Sequence, residues 1–503
     1  MSSGQDLPLP VTRHGRRSHS GLLAVGSLAG CCYSAAWLAT ASVPPGEIEA
    51  PASTAMPLEK YGTPALCAVM ALYYGFSWKQ AQALKEAEDK TTLEAPAPGA
   101  KKPRIGALDS LRFILIAYIA SGHFIHTATS NKFLLKLITQ INVVVGAFFV
   151  ISGYVAAYTT TELAQRKGSK RLDNAVEFVV TRIMGHWPLH LLVLLVFSPM
   201  FFWVDARYSG VPTALFNGSI SALMLQAWFP TSAEVWNAPT WFLSALSFAL
   251  CVLPYSLRLL SGQKKEELRR TLTFLTVLGL VPKLAYSYDL NCWGIMEGML
   301  SAKTHPNYAL FNAVRFSPFA AVLEVLMGAT ACRLVMLDDP RDAGKTGSPI
   351  IPALSMILLL VARAAGIVEL NDMLIRSAVF IPLWIVFLMR IHRESAGPGG
   401  ATKLLPSLLT KSPLMFLGGI SFPIFIVHGP VGQVFYKKAV ATALFGQQLA
   451  SPSPNGIHRF FAVYWATVLF AAWILQQAFL ESKTVQTASK NAVTFLIRLL
   501  GGS

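Results

Sequence analysis

Twelve apolar stretches recur along the 503-residue chain, at approximately 20–42, 62–79, 109–127, 137–160, 184–204, 240–260, 271–287, 315–336, 350–367, 374–390, 412–435 and 459–481. A helix that crosses the hydrocarbon of a bilayer needs about 20 mostly apolar residues, so the pattern predicts an all-α, polytopic membrane bundle. Composition agrees: 53% of residues are hydrophobic, 14% are charged and the mean hydropathy is +0.48. Soluble domains carry about 25% charged residues. Too little charge is present to cover a water-exposed surface of this size, and disorder, a collagen repeat and a small disulfide scaffold are excluded with it.

The net charge of +16 does not point to nucleic acid. The bases gather in short clusters between apolar stretches, as at Lys101-Lys102-Pro103-Arg104, 165–171 and 264–270, which is how cytoplasmic loops of membrane proteins are marked. Placing all three clusters in the cytosol demands an even number of crossings between 171 and 264. The borderline stretch 214–229 is therefore expected to be re-entrant or interfacial, and the pair Lys437-Lys438 is then an exception to the rule. Asn217-Gly218-Ser219 is a glycosylation sequon, usable only if that loop reaches a secretory lumen. Six cysteines show no metal or redox spacing.

The chain divides into an N-terminal extension at 1–104, with two apolar segments and a polar linker, a membrane domain of about ten helices at 105–481, and a tail at 482–503. The two N-terminal segments are too long for the apolar core of a cleaved signal peptide.

Chemistry concentrates in the first helix of the membrane domain. Arg112 and His123 are 11 residues apart, close to three full turns, so they share one face and stand roughly 16 Å apart along the axis. With Arg112 at an interface, His123 lies near the middle of the hydrocarbon, where ionisable groups are costly and mark function. A snorkelling arginine and a hydrogen-bonded bundle histidine are the structural alternatives. His126 lies on the same face, and periodicity permits it the same role. His186 and His190 are four apart, but Pro188 separates them and no acidic third ligand follows, so no metal is expected. Ser421 and His428 are two turns apart and can share one cavity. Glu324 reads as a buried polar partner, Arg376 and Lys283 as snorkelling residues, and Ser152-Gly153 as a close helix contact.

The run from Leu108-Asp109-Ser110-Leu111-Arg112 to His123 resembles the opening L-D-x-L-R…H of the membrane-bound acyltransferase type 3 family, the O-antigen-acetylase-like O-acyltransferases. Further blocks resemble that family in order: Phe148-Phe149-Val150-Ile151-Ser152-Gly153-Tyr154, Arg182 to Pro188, Trp241-Phe242-Leu243-Ser244, Arg315 to Gly328, and Leu417 to His428. The resemblance covers about 105–480. Two positions depart from it: Leu246-Ser247 stand where bacterial members usually place paired glutamates, and Gly185 replaces the second arginine usual after Arg182.

The resemblance implies an O-acyltransferase that moves an acyl group, with acetyl favoured, from acyl-CoA to a hydroxyl of a carbohydrate or lipid, without a tightly bound cofactor. It implies His123 and Arg112 as catalytic residues, and Arg112 with Arg182 as binders of the donor. The residues suit that chemistry: a histidine titrates near neutral pH and can take a hydroxyl proton, and a guanidinium can hold phosphate bidentately. No G-x-S-x-G nucleophile elbow is present. A transporter or flippase is the rival reading, although matched broken helices in two halves, which would favour it, are not evident. Leu246 and Gly185 also leave room for a catalytically silent member.

Overall fold

A computed structural model describes residues 104–164, 174–294, 307–338, 347–396 and 402–500. The two N-terminal apolar segments and the basic cluster at 165–171 lie outside the described residues. What is described is nearly all helical, with no strand.

The principal helices are α1 (Gly106–Phe124), α2 (Gly146–Ala164), α3 (Ala175–Met184), α4 (Trp187–Ser209), α5 (Val211–Ala222), α6 (Trp241–Gly262), α7 (Lys265–Asp289), α8 (Pro318–Met336), α9 (Ile350–Ala364), α10 (Ile381–Ala396), α11 (Ser412–Gly419), α12 (Ser421–Tyr436), α13 (Phe460–Ile474) and α14 (Lys483–Leu499). Seven continuous helical segments are long and apolar enough to cross a membrane, and α11 with α12, bent by 63° at Ile420, makes an eighth if counted as one span. The sequence reading gave ten. The other two exist as helices, but α7 is charged through its first turns and α9 has only 15 residues. The protein is an integral, multi-pass membrane protein.

A helix that is apolar on every side is either enclosed by other helices or faces lipid. Helix α8 is enclosed, with 89% of its span buried, whereas the comparably apolar span Phe460–Leu480 lies at the periphery with 17% buried. It packs on α2, α6 and α7. Two glycines let α2 and α8 touch backbone to backbone. A methyl on Gly153 would sit 1.8 Å from the Val325 carbonyl oxygen, and one on Gly328 would sit 1.9 Å from that of Val150. This is the close contact of small residues that membrane helices use in place of a hydrophobic driving force.

The stretch 214–229 does not span. Helix α5 has 12 residues, about 18 Å, and Gly210, at φ +85°, turns it back onto α4. Asp205 on α4 fastens the hairpin by accepting from Asn217 Nδ2 (2.8 Å) and Trp236 Nε1 (3.1 Å). The sequon asparagine is thus buried and engaged.

Charged side chains group at the two ends of the bundle. At one end Asp338 joins Lys265 (2.9 Å) and Arg393 (2.6 Å), and Asp109 joins Arg104 (2.8 Å) and Arg112 (3.2 Å). At the other, Arg363 bridges Gln140 and Asp372, both at 2.6 Å. Arg376 and Lys283 are not snorkelling. Both are 6% exposed; Arg376 pairs with Glu324 through two nitrogens, and Lys283 bonds Ser377 and lies 3.8 Å from Glu324. The expectation of snorkelling fails because the carboxylate that pairs with Arg376 lies 52 residues away on another helix, which periodicity along one helix does not reveal.

Candidate active site

A cavity of about 370 Å³ lies between α1, α2, α6 and the bent α11–α12 pair. Arg104, Asp109 and Arg112 line its mouth at the basic end. Phe148, Phe242, Leu243, Leu246, Phe422 and Phe425 form its walls, and His123, Asn142 and Arg315 line its inner part. The aromatic wall is continuous, with Phe242 packed on Phe148 and Phe425 at ring separations of 6.0 and 5.7 Å. Gly418 brings α11 against the first turn of α1; a methyl there would lie 2.6 Å from the Asp109 backbone. Ser110 adds a hydrogen bond to the Leu409 carbonyl.

Arg112 and His123 occupy the same continuous helix and the same cavity, as the spacing of 11 predicts. His126 does not join them. Helix α1 stops at Phe124 and the chain tightens into a short 3-10 turn, Ile125–Thr127. The 3.6-residue periodicity ends there, and His126 is exposed, away from the cavity lining.

His123 Nδ1 lies 3.1 Å from His428 Nε2, with the ring planes within 17° of each other and the centroids 5.3 Å apart, so the two rings meet edge to edge. His428 Nδ1 faces two backbone carbonyls, Phe425 at 2.8 Å and Ile424 at 3.2 Å. Carbonyl oxygens only accept, so His428 Nδ1 carries the proton and its Nε2, when the ring is neutral, is an acceptor. His123 Nδ1–H therefore donates to His428, and the lone pair of His123 is left on Nε2. The pair makes a hydrogen-bonded relay in which the inner ring, wholly buried, fixes the tautomer of the outer one.

Arg315 is held by Asn142 (3.0 Å) and Glu234 (2.6 Å) and stacks 4.4 Å above the Phe316 ring. Arg182 does not line the cavity: its guanidinium lies 4.4 Å over the Phe178 ring and 3.3 Å from Thr159 Oγ1. Arg104, which the sequence reading took only as part of a basic cluster, stands at the mouth instead. His186 does line the cavity, with Nε2 3.4 Å from Ser247 Oγ, whereas His190 bonds the Ser221 carbonyl at 2.8 Å, so the two rings turn to different partners. Ser421 lines the cavity and donates to the Gly418 carbonyl at 2.7 Å. Of the positions that depart from the family pattern, Leu246 lies in the cavity wall and Ser247 beside His186. Gly185 lies outside the wall, in a groove formed with α14.

Residues 105–476 match a family model described as an acyltransferase domain, acyltransferase 3. The chain belongs to this acyltransferase family. It is also similar to a protein named Acyltransferase MdmB from Streptomyces mycarofaciens, 22% identical over 365 residues that cover 68% of this chain and 85% of that protein. No solved structure matches the chain. The protein is a membrane-embedded acyltransferase.

Proposed function

We propose that the protein transfers an acyl group, acetyl in the simplest case, from acyl-CoA to a hydroxyl of a carbohydrate or lipid, with His123 as the base. The observation that carries this reading is the His123–His428 pair, which leaves an unprotonated Nε2 in a cavity whose mouth holds two arginines. The acceptor oxygen attacks the thioester carbonyl while His123 Nε2 takes its proton. The C–O bond forms, the C–S bond breaks, and the leaving thiolate recovers that proton to depart as CoA thiol. His428 Nε2 holds the Nδ1 proton of His123 and steadies the imidazolium between the two transfers.

Arg112, with Arg104 beside it, binds the donor phosphates at the basic end, which is cytosolic in this reading. Asp109 between them fixes both guanidinium groups and offsets one of their charges. The roughly 16 Å from Arg112 to His123 is a span that an extended phosphopantetheine arm bridges, with the aromatic wall around it. Arg182 contributes only a positive charge at the same end. Standing in the wall where the family usually has a glutamate, Leu246 makes the wall less acidic and favours an acceptor with an apolar face.

The test is mass spectrometry of lipids and glycans from cells lacking the protein and from the same cells supplied with wild type or His123→Ala. A species that loses an acyl mass, regains it with wild type and does not regain it with His123→Ala is the expected result. Restoration by His123→Ala would overturn the mechanism.

A further inference from the structure

The last 22 residues, left as a tail by the sequence reading, hold a 17-residue helix, α14. Only Glu481 and Ser482 separate it from the span that ends at Leu480. A helix about 25 Å long on so short a tether stays beside the end of that span, against α3, on which it packs. At 100° per residue, Val485, Ser489, Ala492, Val493, Leu496 and Ile497 fall on one arc, and all six are half-buried.

Next to that arc, Phe495 and Leu499 are 64% and 68% exposed. Lys490 borders the groove that α14 forms with α3, where Glu177 also lies, whereas Lys483 and Arg498 stand exposed outside that groove, and residues 482–503 contain no acidic residue. An apolar flank beside a polar one whose only charges are basic, at the level where a membrane span ends, is the pattern of a helix lying in the headgroup plane. A surface of phosphates matches an exposed flank on which Lys483 and Arg498 are the charges and no carboxylate is present.

We propose that α14 binds the anionic headgroup surface of the bilayer, with Phe495 and Leu499 in the acyl boundary and Lys483 and Arg498 on lipid phosphates. It thereby clamps α3, which leads directly into the cavity-lining His186. The proposal is independent of the reaction assigned to the cavity.

Amide hydrogen exchange of the segment 483–499 tests it, in the full chain reconstituted in nanodiscs of phosphatidylcholine alone or mixed with phosphatidylserine. Exchange is expected to slow about fivefold or more when the anionic lipid is present. The variant Lys483→Gln/Arg498→Gln should lose that difference. Phe495→Ser/Leu499→Ser should exchange faster than wild type in both lipids. Equal exchange of the wild type in the two compositions overturns the proposal. So does protection that rises with the number of protein copies per nanodisc rather than with lipid charge, since a second copy would then be what covers the helix.

Discussion

Two groups of charged or ionisable side chains lie within the bundle, and they differ in what they face. Glu324, Arg376 and Lys283 face one another, and Arg363 faces Asp372 and Gln140, with none of these ion-pair side chains more than 7% exposed. Arg112, His123 and Arg315 also have partners, but they line a cavity. Taking a charge out of water into the bundle is costly in both places. In the first group the attraction of fixed partners offsets that cost and the groups are consumed by each other. In the second, part of each group is left toward a space that a substrate can fill. An ionisable residue within the bundle marks both groups alike, so its presence alone does not find a site; what each side chain still offers to a cavity does.

The largest effect expected is on the closed group. Glu324→Ala leaves Arg376 and Lys283 buried without their carboxylate, a loss of about 3–5 kcal/mol, read as a sharply lowered Tm or failure to accumulate. Because replacing a whole buried ion cluster by apolar residues of similar volume is often neutral, Glu324→Leu with Arg376→Met and Lys283→Met should recover most of that Tm. An unchanged Tm in Glu324→Ala together with lost transfer would break the division between the two groups and move Glu324 into the site.

The opposite signature is expected from the open group. His123→Ala should keep its Tm and lose at least about 10²-fold in acyl transfer, the low end of a base's contribution. His428→Ala removes only the acceptor that fixes the tautomer, so about tenfold is expected, in kcat, with KM for acyl-CoA unchanged. His428→Gln, which keeps an acceptor oxygen, should regain part of it. A purely structural His428 would instead lower Tm, with no rescue by glutamine.

Much of this was legible before any coordinates. The apolar runs placed the membrane helices, and the spacing of 11 put Arg112 and His123 on one helix face, because both inferences need only local periodicity. The non-spanning hairpin at α5 followed from the alternation of basic clusters. What stayed hidden is what joins distant segments: His428 meets His123 across 305 residues, Glu324 meets Arg376 across 52, and Arg315 meets Asn142 across 173. Periodicity along one helix carries no information about which face of another it meets. It also cannot mark where a helix stops, which is why His126 stayed level with His123 in the sequence.

A smaller effect is expected at the mouth. Arg112→Lys keeps a positive charge beside Asp109 but loses the planar fork that can grip a phosphate with two N–H groups. KM for acyl-CoA should rise about tenfold with kcat little changed, because the donor is held less firmly while the base is untouched. Arg182→Ala, outside the lining, should move KM less than Arg112→Lys does. The reverse order would place the donor along α3 rather than at the mouth formed by Arg104, Asp109 and Arg112.

The smallest effect expected is at His126. On an ideal helix it falls about 40° from Arg112 and His123 about 20° from it, on opposite sides, so sequence alone admits either as base. The break of α1 at Phe124 removes His126 from that geometry. Its ring is exposed and off the cavity wall, so a proton taken there would not come from an acceptor beside the His123–His428 pair. His126→Ala should therefore retain transfer within about twofold of wild type, well short of the loss that removing a general base brings. Labelled acyl-CoA supplied to membranes carrying each variant at matched expression reads both outcomes in one assay. Loss in His126→Ala with retention in His123→Ala would mean that the turn Ile125–Thr127 winds on as α-helix when substrate binds, and the base would then lie one turn further from Arg112.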